Sequence, residues 1–289
     1  MTFVEGNLAT VALLGTNLDN ALITTNNSVA LLSGMGGLAA YQDCSKPFRI
    51  SQRRITLRID ASAQVDLALC AGQAGANTVL NTLDREGNVS HRIEANDDYD
   101  KRVLRSLRRC TKEPAPPQPE RHTENLISLS AVRNARDRWV TSDSGRHLND
   151  LCIARGRDRL RTLRHVGRSR AWRVDGNVVT SFIECLCERD MQHMRLVPGN
   201  GFVLGDLFRG GTLQQLDRIL LSTSPSSRFA LDIGQVRDCW ATRFRTVSHL
   251  ELYSDDNRVA AVLAPDPHSD IKHWNEMLAC LPPAFRAVP

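Results

Sequence analysis

Eight arginines crowd the stretch from Arg155 to Arg173, at positions 155, 157, 159, 161, 164, 168, 170 and 173. Guanidinium groups at that density can contact phosphates, so one function the sequence admits is nucleic-acid binding whose affinity falls steeply as salt rises. Leu160 and Leu163 give the same run another reading, a helix with a basic solvated face, and neither an aromatic platform nor a nucleic-acid motif accompanies it. Cys185 and Cys187 stand two apart in a helical segment, where they point to different sides and cannot chelate one metal ion. Glu184 and Glu188 have the spacing of an acid pair, but Cys and Arg neighbours make them a solvated edge. GxSxG, a phosphate loop, HExxH and paired Cys–His zinc spacing are all missing. Any chemistry here has to come from something the chain binds.

The framework for such a ligand is a folded one. The 289 residues are 42% apolar and 24% charged, which excludes collagen-like, coiled-coil and wholly disordered chains. The net charge of +5 is a mild bias toward anionic partners. No Lys or Arg precedes Lys46, so the positive region of an export signal is missing. The uncharged run Asn20 to Gln42 is broken by Thr, Asn, Ser and Gly and makes a poor membrane span. Eight cysteines without an export signal are expected as reduced thiols in a cytosol.

Prolines 114, 116, 117 and 119 forbid regular helix or central strand, so residues 111–123 read as a linker between an N-terminal part, 1–110, and a C-terminal part, 124–289. Alternation predicts strands at Arg54 to Asp60, Val65 to Cys70, Val79 to Leu83 and Val89 to Ile93. A helix follows from Tyr99 to Arg108 under the acidic start Asp97, Asp98 and Asp100. The succession recurs near the other end: strand His249 to Tyr253, turn, strand Arg258 to Leu263, helix Asp270 to Leu281. Shifted by 170 residues, Leu80 falls on Leu250, Gly87 on Asn257, Val89 on Val259 and Ile93 on Leu263, an internal repeat. Helices are expected at Ser128 to Val140, Leu148 to His165 and Val178 to Glu188, and strands at Arg228 to Ile233 and Cys239 to Phe244. The fold class is α+β.

Particular strings sharpen this. Thr24-Thr25-Asn26-Asn27-Ser28-Val29, Asp66-Leu67-Ala68-Leu69-Cys70, and the hairpin from Leu80 through Gly87 to His91-Arg92 lie in the first half. Trp139, Ala171-Trp172-Arg173-Val174, Gly199-Asn200-Gly201, Trp240-Ala241-Thr242-Arg243 and Val247 to Asp256 follow in the second. In order and spacing these resemble the hemin-degrading and hemin-transport family known as HemS, HmuS or ChuS, over residues 20 to 282.

The resemblance implies two tandem repeats, each a large antiparallel sheet flanked by helices, with heme held in a cleft between them. It implies a cytoplasmic protein of bacterial heme trafficking or heme opening, with heme as both cofactor and substrate in the second case. Heme-delivering or heme-accepting proteins are the partners it implies; nucleic acid and membrane insertion are not. His147, in Ser144-Gly145-Arg146-His147-Leu148, becomes the iron ligand, one residue beyond the family position, which Arg146 holds. Arg243, at the end of a strand whose Trp240 turns inward, becomes the first propionate partner, and Arg209, beside Gly210 and Gly211, the second. Asn77 and Val262 to Asp266 depart from family positions near the ligand. Two other readings stay open: a divergent relative that keeps the fold as an interaction or regulatory protein without heme, and the arginine-rich nucleic-acid binder.

Overall fold

A computed structural model describes residues 1–41, 51, 55–60, 63–72, 77–84, 87–111, 137, 139, 148, 151 and 157–284. In the first half the elements are β1 (Thr2–Val4), α1 (Leu8–Thr16), β2 (Leu22–Asn26), β3 (Ala30–Met35), β4 (Leu38–Tyr41), β5 (Ile55–Ile59), β6 (Asp66–Ala71), β7 (Thr78–Leu83), β8 (Val89–Ala95) and α2 (Asp98–Arg105). The second half holds α3 (Arg157–Leu163), β9 (Ala171–Val174), α4 (Val179–Glu188), β10 (His193–Pro198), β11 (Phe202–Phe208) and β12 (Thr212–Leu216). After them come β13 (Ile219–Thr223), β14 (Ser227–Asp232), β15 (Val236–Phe244), β16 (Val247–Ser254), β17 (Val259–Pro265) and α5 (Ile271–Ala279).

The repeat read from the sequence is built residue by residue. Leu80 pairs with Ile93 as Leu250 pairs with Leu263. The ladder slips between Thr82 and Leu83 in one hairpin and between Leu252 and Tyr253 in the other, the same position after the shift. Each turn closes on a left-handed residue, Gly87 at φ 82° and Asn257 at φ 63°, as a tight hairpin demands. Asp97 and Asp270 each cap the following helix by accepting a backbone N–H. Val4 and Val174 make matching isolated bridges to Arg109 and Pro283, where the chain returns after each helix.

The strands form two sheets, one in the order β1-β6-β7-β8-β2-β3-β14-β13-β12 and the other β4-β5-β11-β10-β17-β16-β15-β9. Each sheet borrows from the other half: β12 to β14 extend the first past β3, and β4 and β5 extend the second past β11. Pairing is antiparallel except between β4 and β5, which run parallel. Gly201 admits the borrowed β5. Its backbone sits at φ 81°, its carbonyl accepts the Asp60 N–H at 2.7 Å, and a Cβ there would lie 2.1 Å from that of Ala63.

One apolar core fills the space between the inner faces, with Ile23, Leu32, Ile93, Phe229, Leu57, Phe202, Leu250 and Leu263 among its members. Polar pins cross it. Asn27 donates to the carbonyls of Pro198 at 2.9 Å and Ala260 at 2.8 Å, tying a first-half turn to the second sheet. Buried Arg195 on β10 pairs with Asp206 on β11 and donates to Ser222 and Ser227 on the borrowed strands of the first sheet. Among the described residues the cysteines are unpaired, and only Cys239 is fully buried. Among the described residues no helix is long and apolar enough to cross a membrane.

Three histidines are enclosed with their neutral form favoured. Burial lowers His91, His193 and His249 each from 6.5 to about 4, with Arg195 adding to the effect at His193. A lowered pKa means that the unfolded chain takes up protons first as acid is added. The stability these groups contribute is therefore complete above about pH 6.5 and lost as pH falls through the window down to about 4. Urea unfolding at pH 7 and pH 5 should show a loss on the order of 1–2 kcal/mol per histidine; an unchanged midpoint would contradict this burial. The strand exchange predicts in addition that residues 1–123 and 124–289, expressed separately, give no cooperative thermal transition, whereas the two co-expressed pieces copurify.

Candidate functional site

The second sheet has an outer face whose polar groups are unlike those of the packed interior. Trp240, Thr242 and Phe244 on β15, Glu251 and Tyr253 on β16, Val259 and Val262 on β17, and Leu196 on β10 point to it. Trp139, Leu148, Leu151, Leu160, Leu163 and Val166 lie over them as a second apolar cluster. Trp139 packs on Phe244 with ring centroids 4.1 Å apart and the planes tilted by 35°, and donates its Nε1–H to the Arg243 carbonyl at 3.4 Å.

Beneath Trp139 lies a buried charge network. The Arg159 guanidinium, 5.2 Å from the Trp139 ring, donates through Nε and Nη2 to the two Glu251 oxygens, both at 2.6 Å. Thr242 Oγ1 donates to Oε1 at 2.6 Å and Tyr253 Oη to Oε2 at 2.7 Å. Burial by itself would raise the Glu251 carboxyl, but the Arg159 charge and the hydrogen bonds from Arg159, Thr242 and Tyr253 hold it below the usual carboxylate range. Tyr253 is pushed well above its ordinary value by burial and then by the Glu251 charge. Glu251 thus stays ionised and Tyr253 protonated across the physiological range, and the Arg159–Glu251 pair fastens α3 to the sheet.

These contacts divide the arginine run. Arg159 is turned into the protein, Arg173 pairs with Asp238, and the stretch does not form one uninterrupted basic face. The signal that could have found Glu251 was its position. It alternates with Leu250 and Leu252 on a strand covered on both faces, where a carboxylate needs a buried cation.

The predicted site residues fall in different places. His147 lies outside the described residues; Leu148, next to it in sequence, is buried on the outer face. Arg243 stands at the end of β15 with its side chain toward the inner face. There its guanidinium lies 5.4 Å over Trp172, Nε donates to Ser248 Oγ at 3.3 Å, and Lys272, Asn275 and Glu276 of α5 line an open cleft of about 320 Å³ with it. Arg209 is exposed beyond the end of β11, four strands from Arg243, a distance of about 19 Å at ordinary strand spacing. The structure does not bring the two arginines together.

The departures noted in the sequence have local explanations. Asn77 donates to Glu94 Oε1 at 2.9 Å, and Glu94 also binds Arg92. Asp266 accepts the His268 N–H at 3.1 Å and closes its own turn, while Val262 belongs to the outer-face cluster. Among the described residues no group of three His, Cys, Asp or Glu is gathered for a metal ion.

Compared with solved structures, apo-PhuS, a heme-binding protein from Pseudomonas aeruginosa, superposes with a TM-score of 0.76 at 16% identity, covering 98% of this chain and 87% of that one. The chain has the PhuS and ChuS fold. ChuS, described as an E. coli heme oxygenase, superposes with a TM-score of 0.77 at 15% identity over 98% of this chain and 89% of its own. Holo-PhuS gives 0.76 at 15% identity with the same coverage as the apo form. No protein-family model and no curated protein matches the sequence. The resemblance read from short strings therefore holds at the level of architecture, along nearly the whole chain.

The buried Arg159–Glu251 pair has a consequence for stability. Arg159→Ala, which strands a buried carboxylate, should cost about 3–5 kcal/mol in urea unfolding, and the double change Arg159→Met, Glu251→Leu should recover most of it. Equal losses in the single and double variants would mean that the two side chains do not depend on each other.

Proposed function

We propose that this chain binds heme and serves its trafficking or its opening to release iron in a bacterial cytosol. The observation that carries the reading is the match over 98% of the chain to structures described as a heme-binding protein and a heme oxygenase. We place the macrocycle on the outer face of the second sheet, because the space between the sheets is filled by one continuous core.

The residues there fit the group. Trp139, Leu160, Trp240 and Phe244 supply the aromatic and apolar walls that a porphyrin needs, and Trp240 Nε1 is a buried donor with no acceptor. His147, from the stretch that contributes Leu148 to this face, is the proposed iron ligand through a neutral imidazole. Bound heme would supply the iron redox chemistry; the chain supplies ligation, orientation and exclusion of water. Trp139 and the α3 leucines now cover the face, so entry requires this cover to lift. Arg243, on the inner side, and Arg209 serve as propionate partners only for a macrocycle edge that projects past the end of the sheet, and their separation makes them alternatives.

Titration of the purified protein with hemin should give a Soret shift that saturates near one equivalent. His147→Ala should abolish or move the band while the circular dichroism stays unchanged. A folded wild-type protein that leaves the hemin spectrum unaltered would reject the reading and favour a relative that kept the scaffold for another task.

A further inference from the structure

Among the described residues, the outer face offers a place for a negatively charged group that is none of the sites expected from the sequence. We propose that Trp240 and Arg173 form a carboxylate-binding subsite at the β9 edge of the second sheet, which, resting on the heme reading above, receives a propionate.

The first observation is an unanswered donor. Trp240 is 8% exposed, and among the described residues its Nε1–H has no hydrogen-bond partner. A buried indole N–H ordinarily finds an acceptor, so one that has none points to an acceptor supplied from outside the chain. The second observation is register. Trp240 pairs directly with Arg173 across the β15–β9 ladder, so both side chains stand on the outer face with Cβ atoms about 5 Å apart.

Arg173 is also reachable. Its side chain is 43% exposed, and β9 is the last strand of its sheet, so a ligand can approach from the flank without crossing the core. An indole N–H and a guanidinium can take the two oxygens of one carboxylate, a geometry that a lysine would not fix.

The resident anion is Asp238, also on the outer face of β15, which holds the Arg173 guanidinium in an ion pair. An incoming carboxylate would share that guanidinium with it. Arg159 is already engaged, its Nε and Nη2 donating to the two Glu251 oxygens beneath Trp139.

The test compares hemin with its dimethyl ester, which keeps the macrocycle and iron but lacks both carboxylates. The wild-type protein should bind hemin at least tenfold more tightly than the ester, the size expected for a hydrogen bond to a charged group. Arg173→Gln should bring the hemin affinity down toward that of the ester and leave the ester affinity unchanged, and Trp240→Phe, which also alters the wall of the site, should narrow the ratio of the two affinities. Arg173→Lys should recover part of the preference, with thermal melts confirming that every variant is folded.

Variants that keep the wild-type ratio of the two affinities would overturn the subsite while leaving heme binding intact. That outcome would assign the indole N–H to water. A wild-type protein that binds neither compound would overturn the heme reading and the subsite with it.

Discussion

The architecture depends on a reciprocal loan of strands. Neither sheet is complete with the residues of its own repeat: β14 lies against β3, and β5 lies against β11. The unpaired edges of β3 and β11 would otherwise expose backbone donors and acceptors, and each is covered by the other half. Once the loan is made, the inner faces meet over a single core, and the Arg195–Asp206 pair with its serine partners stands at the junction of borrowed and native strands. The same exchange leaves the borrowed β4 and β5 at one end of the second sheet, and the outer-face cluster lies toward the other end, on strands of the second repeat.

The sequence carried the repeat because repeated turns leave local marks. Gly87 and Asn257 are residues that tolerate the left-handed turn, and apolar alternation on both sides of each sets the register. It did not carry β10 and β11. His193 to Pro198 is buried at every position, and Phe202 to Phe208 at all but Leu207, so both lack the alternation by which a half-exposed strand is recognised. Arg195 and Asp206 further disguise them, because a charge in a core strand reads as a surface position until its partner is known. Helix α1 escaped for the same reason, its run from Leu8 to Leu14 being apolar on nearly every side.

The candidate site was legible in its walls and not in its charges. Trp139 and Trp240 were visible as aromatic landmarks, and both take part in the outer-face cluster. Which arginine serves which purpose could not be read from spacing. Arg159, Arg173 and Arg243 are equally basic in the sequence. Only pairing shows that the first neutralises Glu251, the second stands beside an unanswered indole, and the third turns to the opposite side of the sheet. Long-range partners of this kind, 92 residues apart for Arg159 and Glu251, leave no local trace.

The order in which the strands are made also has a temporal consequence. On the ribosome, β3 emerges early, but the strand that covers its open flank ends at Asp232. At ordinary elongation rates a growing chain carries that flank bare for roughly 10–40 s, long compared with hairpin formation. Synthesis of this protein therefore includes an interval in which a nearly finished sheet must be kept from pairing with its neighbours on the same polysome. Codon choice or a nascent-chain chaperone acting between residues 35 and 232 would alter yield without touching the finished fold.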